Sequence, residues 1–166
     1  MYKIGDYVVC GNNGICRIDE VGLLEFEGVP KDKKYYFLSP VNSNSSKVYT
    51  PVDNDKTNMR PIISKDEAYK LIKEINIIEP IKVINEKNRE NAYKEILKTH
   101  DCREMLKIIK TVYSRRKERG EEGKKLVASD EKYLKLAKDF LIVELAIPLE
   151  IKKEEVEEII HVMLNK

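Results

Sequence analysis

With 166 residues, 42% apolar and 36% charged, the chain has room for one large domain or two small ones under a highly charged surface. No window offers the roughly 18 consecutive apolar residues of a spanning helix, and residues 1–6 lack the apolar core of a signal peptide. A cytoplasmic location without membrane contact is therefore expected. The net charge of +2 hides an uneven distribution: residues 82–125 carry 14 basic against 8 acidic side chains, between near-neutral and acidic flanks. Such polarity fits a surface facing a polyanion, and equally a solvated helix face.

Residues 4–21 open the chain with two β-branched runs folded about Gly11-Asn12-Asn13-Gly14. Val8, Val9, Ile15 and Ile18 are strand formers, and Asn13-Gly14 suits the positive φ angles of a tight hairpin. The pattern predicts strands over Tyr7 to Cys10 and Ile15 to Val21. A half-buried strand is expected over Leu23 to Glu27, where apolar and acidic residues alternate, followed by strands over Lys34 to Leu38 and Lys47 to Thr50. Pro51, lacking an N–H, is expected to end the last one. Five short strands before residue 60 suit a small SH3-like or Tudor-like barrel, whose thin core calls for a neighbour or partner.

Beyond residue 60 the periodicity becomes helical. Ser64 and Glu67 have capping-box spacing, predicting a helix over residues 65–75 that buries Ala68, Leu71, Ile72 and Ile75. A second helix is predicted over 83–97, and a third over 102–119, capped by Asp101 and ended by Gly120. Its core stripe is Met105 or Leu106, Ile109, and Val112 or Tyr113, with Lys107, Lys110 and Lys117 on the opposite side. Ser129 is expected to cap a fourth helix buried through Leu134, Ala137, Phe140 or Leu141, and Leu145, with Pro148 ending it. A last helix runs to Leu164, with Glu154 and Glu155 at its positive end and Val156, Ile159, Ile160 and Met163 as its apolar face. The fold class is thus α+β: a barrel in residues 1–60 and an all-α helical domain in 61–166.

Catalytic signatures are absent. Gly11 to Gly14 lacks the lysine and hydroxyl of a phosphate loop, and no nucleophile elbow, zinc-protease motif or dinucleotide fingerprint occurs. Cys10, Cys16 and Cys102 form no Cys-x-x-Cys pair. Together with His100 they could build a zinc site, although hairpin cysteines more often serve as small packing residues. His161 reads as a partly buried histidine, and the acidic pairs near it as solubility. No cofactor, no metal and no enzymatic activity are expected.

The order of parts is more informative. Ile4-Gly5-Asp6-x-Val8-Val9, Gly14-Ile15-x-x-Ile18, Lys34-Tyr35-Tyr36-x-Leu38 and Val48-x-x-Pro51-Val52 stand in succession, followed by residues 113–120, Ser129-x-Glu131-Lys132 and Glu144-Leu145-Ala146. This succession resembles, essentially end to end, the CarD family of bacterial transcription regulators. The N-terminal module of that family has a relative inside the transcription-repair coupling factor.

The resemblance implies a barrel that docks on the β subunit of RNA polymerase and a helical domain that contacts promoter DNA at the upstream edge of the bubble. It implies a stabilised open complex, largely sequence-independent contact with the DNA backbone and minor groove, and localisation with the nucleoid through the polymerase. A monomer is expected. For the polymerase contact the candidates are Leu24, Glu25, Phe26 and Tyr49, through β-augmentation at an exposed strand edge. Phe26 could instead belong to the barrel core. For DNA phosphates they are Lys87, Arg89, Lys94, Arg115, Arg116 and Lys132.

Two departures stand out. Many family members insert a tryptophan at the bubble fork, and this chain has none; Val83 or Ile84 is the candidate aliphatic wedge. Leu24 and Tyr49 also stand where relatives often carry basic contacts to the polymerase. Two other readings remain: an RNA- or ribosome-binding module, and a polymerase adaptor without DNA contact.

Overall fold

The computed structural model describes residues 1–43, 45–53, 59–82 and 85–166. The chain divides into two compact units, Met1–Ile62 and Ile63–Lys166. The first is an antiparallel sheet of β1 (Tyr7–Cys10), β2 (Ile15–Leu23), β3 (Lys34–Pro40), β4 (Val48–Pro51) and β5 (Met59–Pro61), in the order β4-β3-β2-β1-β5. At the hairpin between β1 and β2, Gly11 and Gly14 take the positive φ angles, 47° and 69°, and a single 3-10 turn spans Gly11–Asn13. Asn13 is not left-handed, because the glycines on either side absorb the reversal.

Alternation then builds the core. Val8, Cys10, Cys16, Ile18, Tyr36 and Leu38 point to one face and are almost fully buried together. A bulge between Ile18 and Glu20 interrupts the ladder of β2 and β3. There the N-terminal arm steps in, with Gly5 N–H donating to the Ile18 carbonyl at 2.7 Å and Ile18 N–H to that of Asp6 at 2.9 Å. β4 and β5 are the two outer strands, and no ladder joins them among the described residues, so the sheet is barrel-like or open and not a closed barrel.

Two expectations for this unit need correction. Leu23 to Glu27 is not a strand: β2 runs through to Leu23, and the chain then leaves the sheet for a turn in which Val29 N–H reaches the Phe26 carbonyl. The alternation there buries one side chain, Leu24, without any ladder. Pro51 is the last residue of β4, as expected, but its missing N–H is not what ends the strand. Val52 N–H donates to the Lys34 carbonyl, so by antiparallel alternation the bonded pairs are Lys34 with Val52 and Tyr36 with Thr50. Pro51 falls between them, where its missing N–H faces away from β3.

The second unit comprises α1 (Lys65–Lys73), α2 (Glu86–Thr99), α3 (Cys102–Glu121), α4 (Ala128–Leu149) and α5 (Lys153–Leu164). The Ser64 hydroxyl accepts from Glu67 N–H at 3.1 Å while the Glu67 carboxylate accepts from Ser64 N–H at 2.7 Å, a complete capping box. Asn85 and Asp101 cap α2 and α3 through their side-chain oxygens. His100, at φ 50°, closes α2 in the left-handed conformation and sets the tight reversal into α3.

Several helix ends differ from expectation: α1 stops at Lys73, short of residue 75, and α2 spans Glu86–Thr99 where the sequence predicts 83–97. α3 continues through Gly120, and Gly123 (φ 72°) follows its end. Val127 occupies the N-cap of α4, leaving Ser129 inside the helix. Pro148 lies in the last turn of α4, which ends at Leu149 with Glu150 left-handed at φ 55°. Met105, Leu106, Ile109 and Val112 of α3, Ala137, Leu141 and Leu145 of α4, and Val156 and Ile160 of α5 form one buried cluster. No helix among the described residues is long and apolar enough to cross a membrane.

Candidate functional site

On the sheet unit the informative feature is the outer edge of β4. Val48 and Thr50 face the core side and Tyr49 faces outward, opposite Phe37 of β3. Tyr49 sits edge-on to Phe37 at 5.3 Å and to Phe26 at 5.7 Å between ring centroids. Phe26 is 55% exposed and Tyr49 41%, so three aromatic rings form a patch open to solvent. The alternation that frees Pro51 also directs the N–H and C=O of Tyr49 away from β3. Of the residues proposed from sequence for this surface, Phe26, Glu25 and Tyr49 are exposed, while Leu24 is turned inward at 7% exposure. Phe26 is therefore not barrel core.

Below that edge, Asp19 ties β2 to β3 and to the loop before β4. It accepts from Arg17 Nε at 2.9 Å, from Lys47 Nζ at 3.3 Å and from the Ser39 hydroxyl. The Ser39 hydrogen bond, helped by both cations, holds its carboxyl below the ordinary aspartate range.

In the helical unit the chemistry gathers around Asp130, in the first turn of α4 and fully buried. It accepts from Arg89 Nε of α2 at 3.1 Å, from the Tyr93 hydroxyl at 3.0 Å and from Arg115 Nε of α3 at 2.7 Å. Both guanidiniums also reach the exposed carboxylate of Glu86, at 3.0 and 3.2 Å. Burial, the Asp130 charge and its hydrogen bond push the Tyr93 hydroxyl above its ordinary range. Asp130 thus pins three helices at one point, and sequence reading gave no sign of it beyond an acidic residue near a helix start.

This cluster redistributes the basic candidates. Arg89 is 8% exposed and Arg115 half-buried, so as they stand both are structural cations engaged with carboxylates. Lys87, Lys94, Arg116 and Lys132 are exposed. Lys94 pairs with Glu90 at 3.8 Å, whereas Arg116 lies over the Tyr113 ring and Lys132 over the Tyr133 ring, each at 5.4 Å. Lys87, Arg116 and Lys132 lie within two residues of Arg89, Arg115 and Asp130 respectively, so these three exposed cations stand where α2 begins, α3 ends and α4 begins, among the exposed carboxylates of Glu86, Glu118 and Glu131. Val83 and Ile84 lie outside the described residues.

Lys110 does not project into solvent as expected. Its ammonium donates to the Ile75 carbonyl at 2.7 Å, to that of Asn76 at 3.2 Å and to that of Ile78, and burial lowers its pKa from the usual lysine range. His161 is exposed, not partly buried. Glu144, fully buried in α4, accepts from the Cys102 thiol at 2.9 Å and from Ile63 N–H at 3.2 Å. Among the described residues no group of three or more His, Cys, Asp or Glu side chains is placed to hold a metal ion. Cys10 and Cys16 are buried in the sheet core, Cys102 in the helical unit.

Residues 2–63 match the family model described as CarD-like/TRCF RID domain, and residues 68–161 match the model described as CarD, C-terminal domain. A search of curated proteins finds no match.

Proposed function

Since the chain belongs to the CarD family of bacterial transcription regulators, which bind RNA polymerase, we propose that its sheet unit docks on the polymerase β subunit and its helical unit on promoter DNA. In this reading the outer edge of β4 receives a strand from the β subunit. The helical unit lies against the upstream edge of the bubble and stabilises the open complex. The observation that carries the reading is the Tyr49 edge: a backbone N–H and C=O directed outward, beside exposed Phe26 and Tyr49 rings that give an incoming strand apolar contact. Pro51 and the shortness of β4 limit indiscriminate pairing there, a common protection of edges.

The DNA contact rests on charge. Lys87, Arg116 and Lys132 supply exposed cations at one end of the helical unit, with Lys94 further along α2, and phosphate binding through them needs no base reading. Arg89 and Arg115 support that surface from within by fixing α2 and α3 to Asp130. Their engagement favours a second reading, an adaptor that binds polymerase and leaves DNA alone.

A pull-down from bacterial lysate tests the first contact. The wild-type chain is expected to recover the β subunit, and the double variant Phe26→Ala, Tyr49→Ala to lose it while keeping its thermal transition, since both rings are exposed. Equal recovery would remove the β4 edge as the dock; no recovery with either would remove the partner. For the second contact, Arg116→Glu with Lys132→Glu should weaken binding to forked DNA to a similar degree across sequences and flatten its salt dependence. No change in that affinity would leave the adaptor reading.

A further inference from the structure

We infer that the groove between α3 and the C-terminal end of α5 is a phosphate-binding site, which shares Arg116 with the DNA-facing surface proposed above but otherwise draws on residues outside it. The groove has a volume of about 550 Å³, within the range of small-ligand clefts. Lys110, Arg116 and Lys117 of α3 line one wall, and His161, Asn165 and Lys166 the other. No Asp or Glu side chain lines it. Arg116 is held over the Tyr113 ring, Lys110 is anchored by backbone carbonyls, and neither they nor Lys117 pair with a carboxylate among the described residues.

That balance distinguishes this cleft from its neighbours. Earlier on the same helix Arg103 pairs with Glu74 and Lys107 with Glu104. Another cleft of the helical unit, about 460 Å³, sets Glu86 and Glu118 against Arg89 and Arg115. The Lys110 ammonium is already taken up by carbonyls outside the groove, whereas Arg116, Lys117 and Lys166 line it with no Asp or Glu side chain among them, and an anion seated there gains attraction to each. A carboxylate offers one charge. A chain of phosphates offers several, with oxygens matching the Arg116 fork, the point charge of Lys117 and neutral donors. Two sources present that chemistry: a free polyphosphate such as the tail of a nucleotide, or successive phosphodiesters of DNA.

The test titrates inorganic tripolyphosphate into the full chain by calorimetry and, separately, forked DNA by fluorescence anisotropy. Wild type is compared with K117E/K166E, whose two lysines are exposed, and with K135E, an exposed lysine of α4 outside the groove. The double variant is expected to lose about tenfold in affinity for at least one probe, against less than about twofold for K135E. Loss for tripolyphosphate alone assigns the groove to free polyphosphate; loss for DNA assigns it to the backbone. Should wild type ignore forked DNA, the DNA contact proposed above falls while the tripolyphosphate titration still decides the groove. Affinities for both probes unchanged in K117E/K166E, or lowered equally in K135E, would overturn the site.

Discussion

Replacing Asp130 by alanine should damage the helical unit more than any surface charge change. The carboxylate is fully buried and accepts three hydrogen bonds, from Arg89, Tyr93 and Arg115. Its removal leaves the Arg89 and Arg115 side chains, 10% and 18% exposed, with only Glu86, and strands the buried Tyr93 hydroxyl. Breaking a buried ion pair from one side costs about 3–5 kcal/mol. The stranded hydroxyl alone would cost about 1–3 kcal/mol, but contacts within one network do not add. A net loss of about 3–5 kcal/mol corresponds to a melting temperature lower by roughly 12 °C or more in a domain of this size. Thermal unfolding followed by far-UV circular dichroism reads this directly. Asp130→Asn, which keeps an acceptor for Tyr93 but no charge, should fall between alanine and wild type. A drop of less than about 3 °C for Asp130→Ala would mean that the two arginines rearrange freely to solvent, refuting the idea that Asp130 pins the helices.

Asp19→Asn should flatten the acid limb of the stability profile. Because the folded carboxyl titrates below the ordinary value of about 3.9, its stabilisation is complete above that value and is lost as pH falls through the folded one; unchanged acid unfolding would exclude it. Burial raises the Cys10 thiol and pushes that of Cys16 up to about 11, so near neutral pH both should react with a disulfide reagent only on the unfolding timescale. Rapid labelling of the native chain at either position would contradict the buried assignment. Glu86→Gln removes the exposed carboxylate that bridges Arg89 and Arg115, and forked-DNA affinity should rise severalfold at low salt; weaker binding would mean that Glu86 orients these arginines productively.

Much of this architecture is readable from residues because local physics agrees with the tertiary outcome. Ser64 with Glu67, and Asp101, announce helix starts that any context preserves, and the stripes of α3 and α4 repeat at helical spacing. β5 is not readable: Met59-Arg60-Pro61 has no β-branched residue, and only the backbone of β1 makes it a strand. Leu23 to Glu27 misleads because alternation fits a strand and equally a turn that buries a single leucine. The charged residues are the least legible. In sequence, Arg89, Lys110 and Arg115 look like any other cations of a solvated helix face, and only the arrival of Asp130 and of the carbonyls at residues 75–78 removes them from the surface.

Hydrogen exchange at one amide tests the proposed polymerase dock most directly. The Tyr49 N–H is directed away from β3, whereas Thr50 is paired with Tyr36 within the sheet. On adding RNA polymerase, the Tyr49 amide should gain strong protection while that of Thr50 changes little, as expected when a strand joins the open edge. A Tyr49 amide that exchanges as fast in the complex as in the free chain would contradict strand addition at β4.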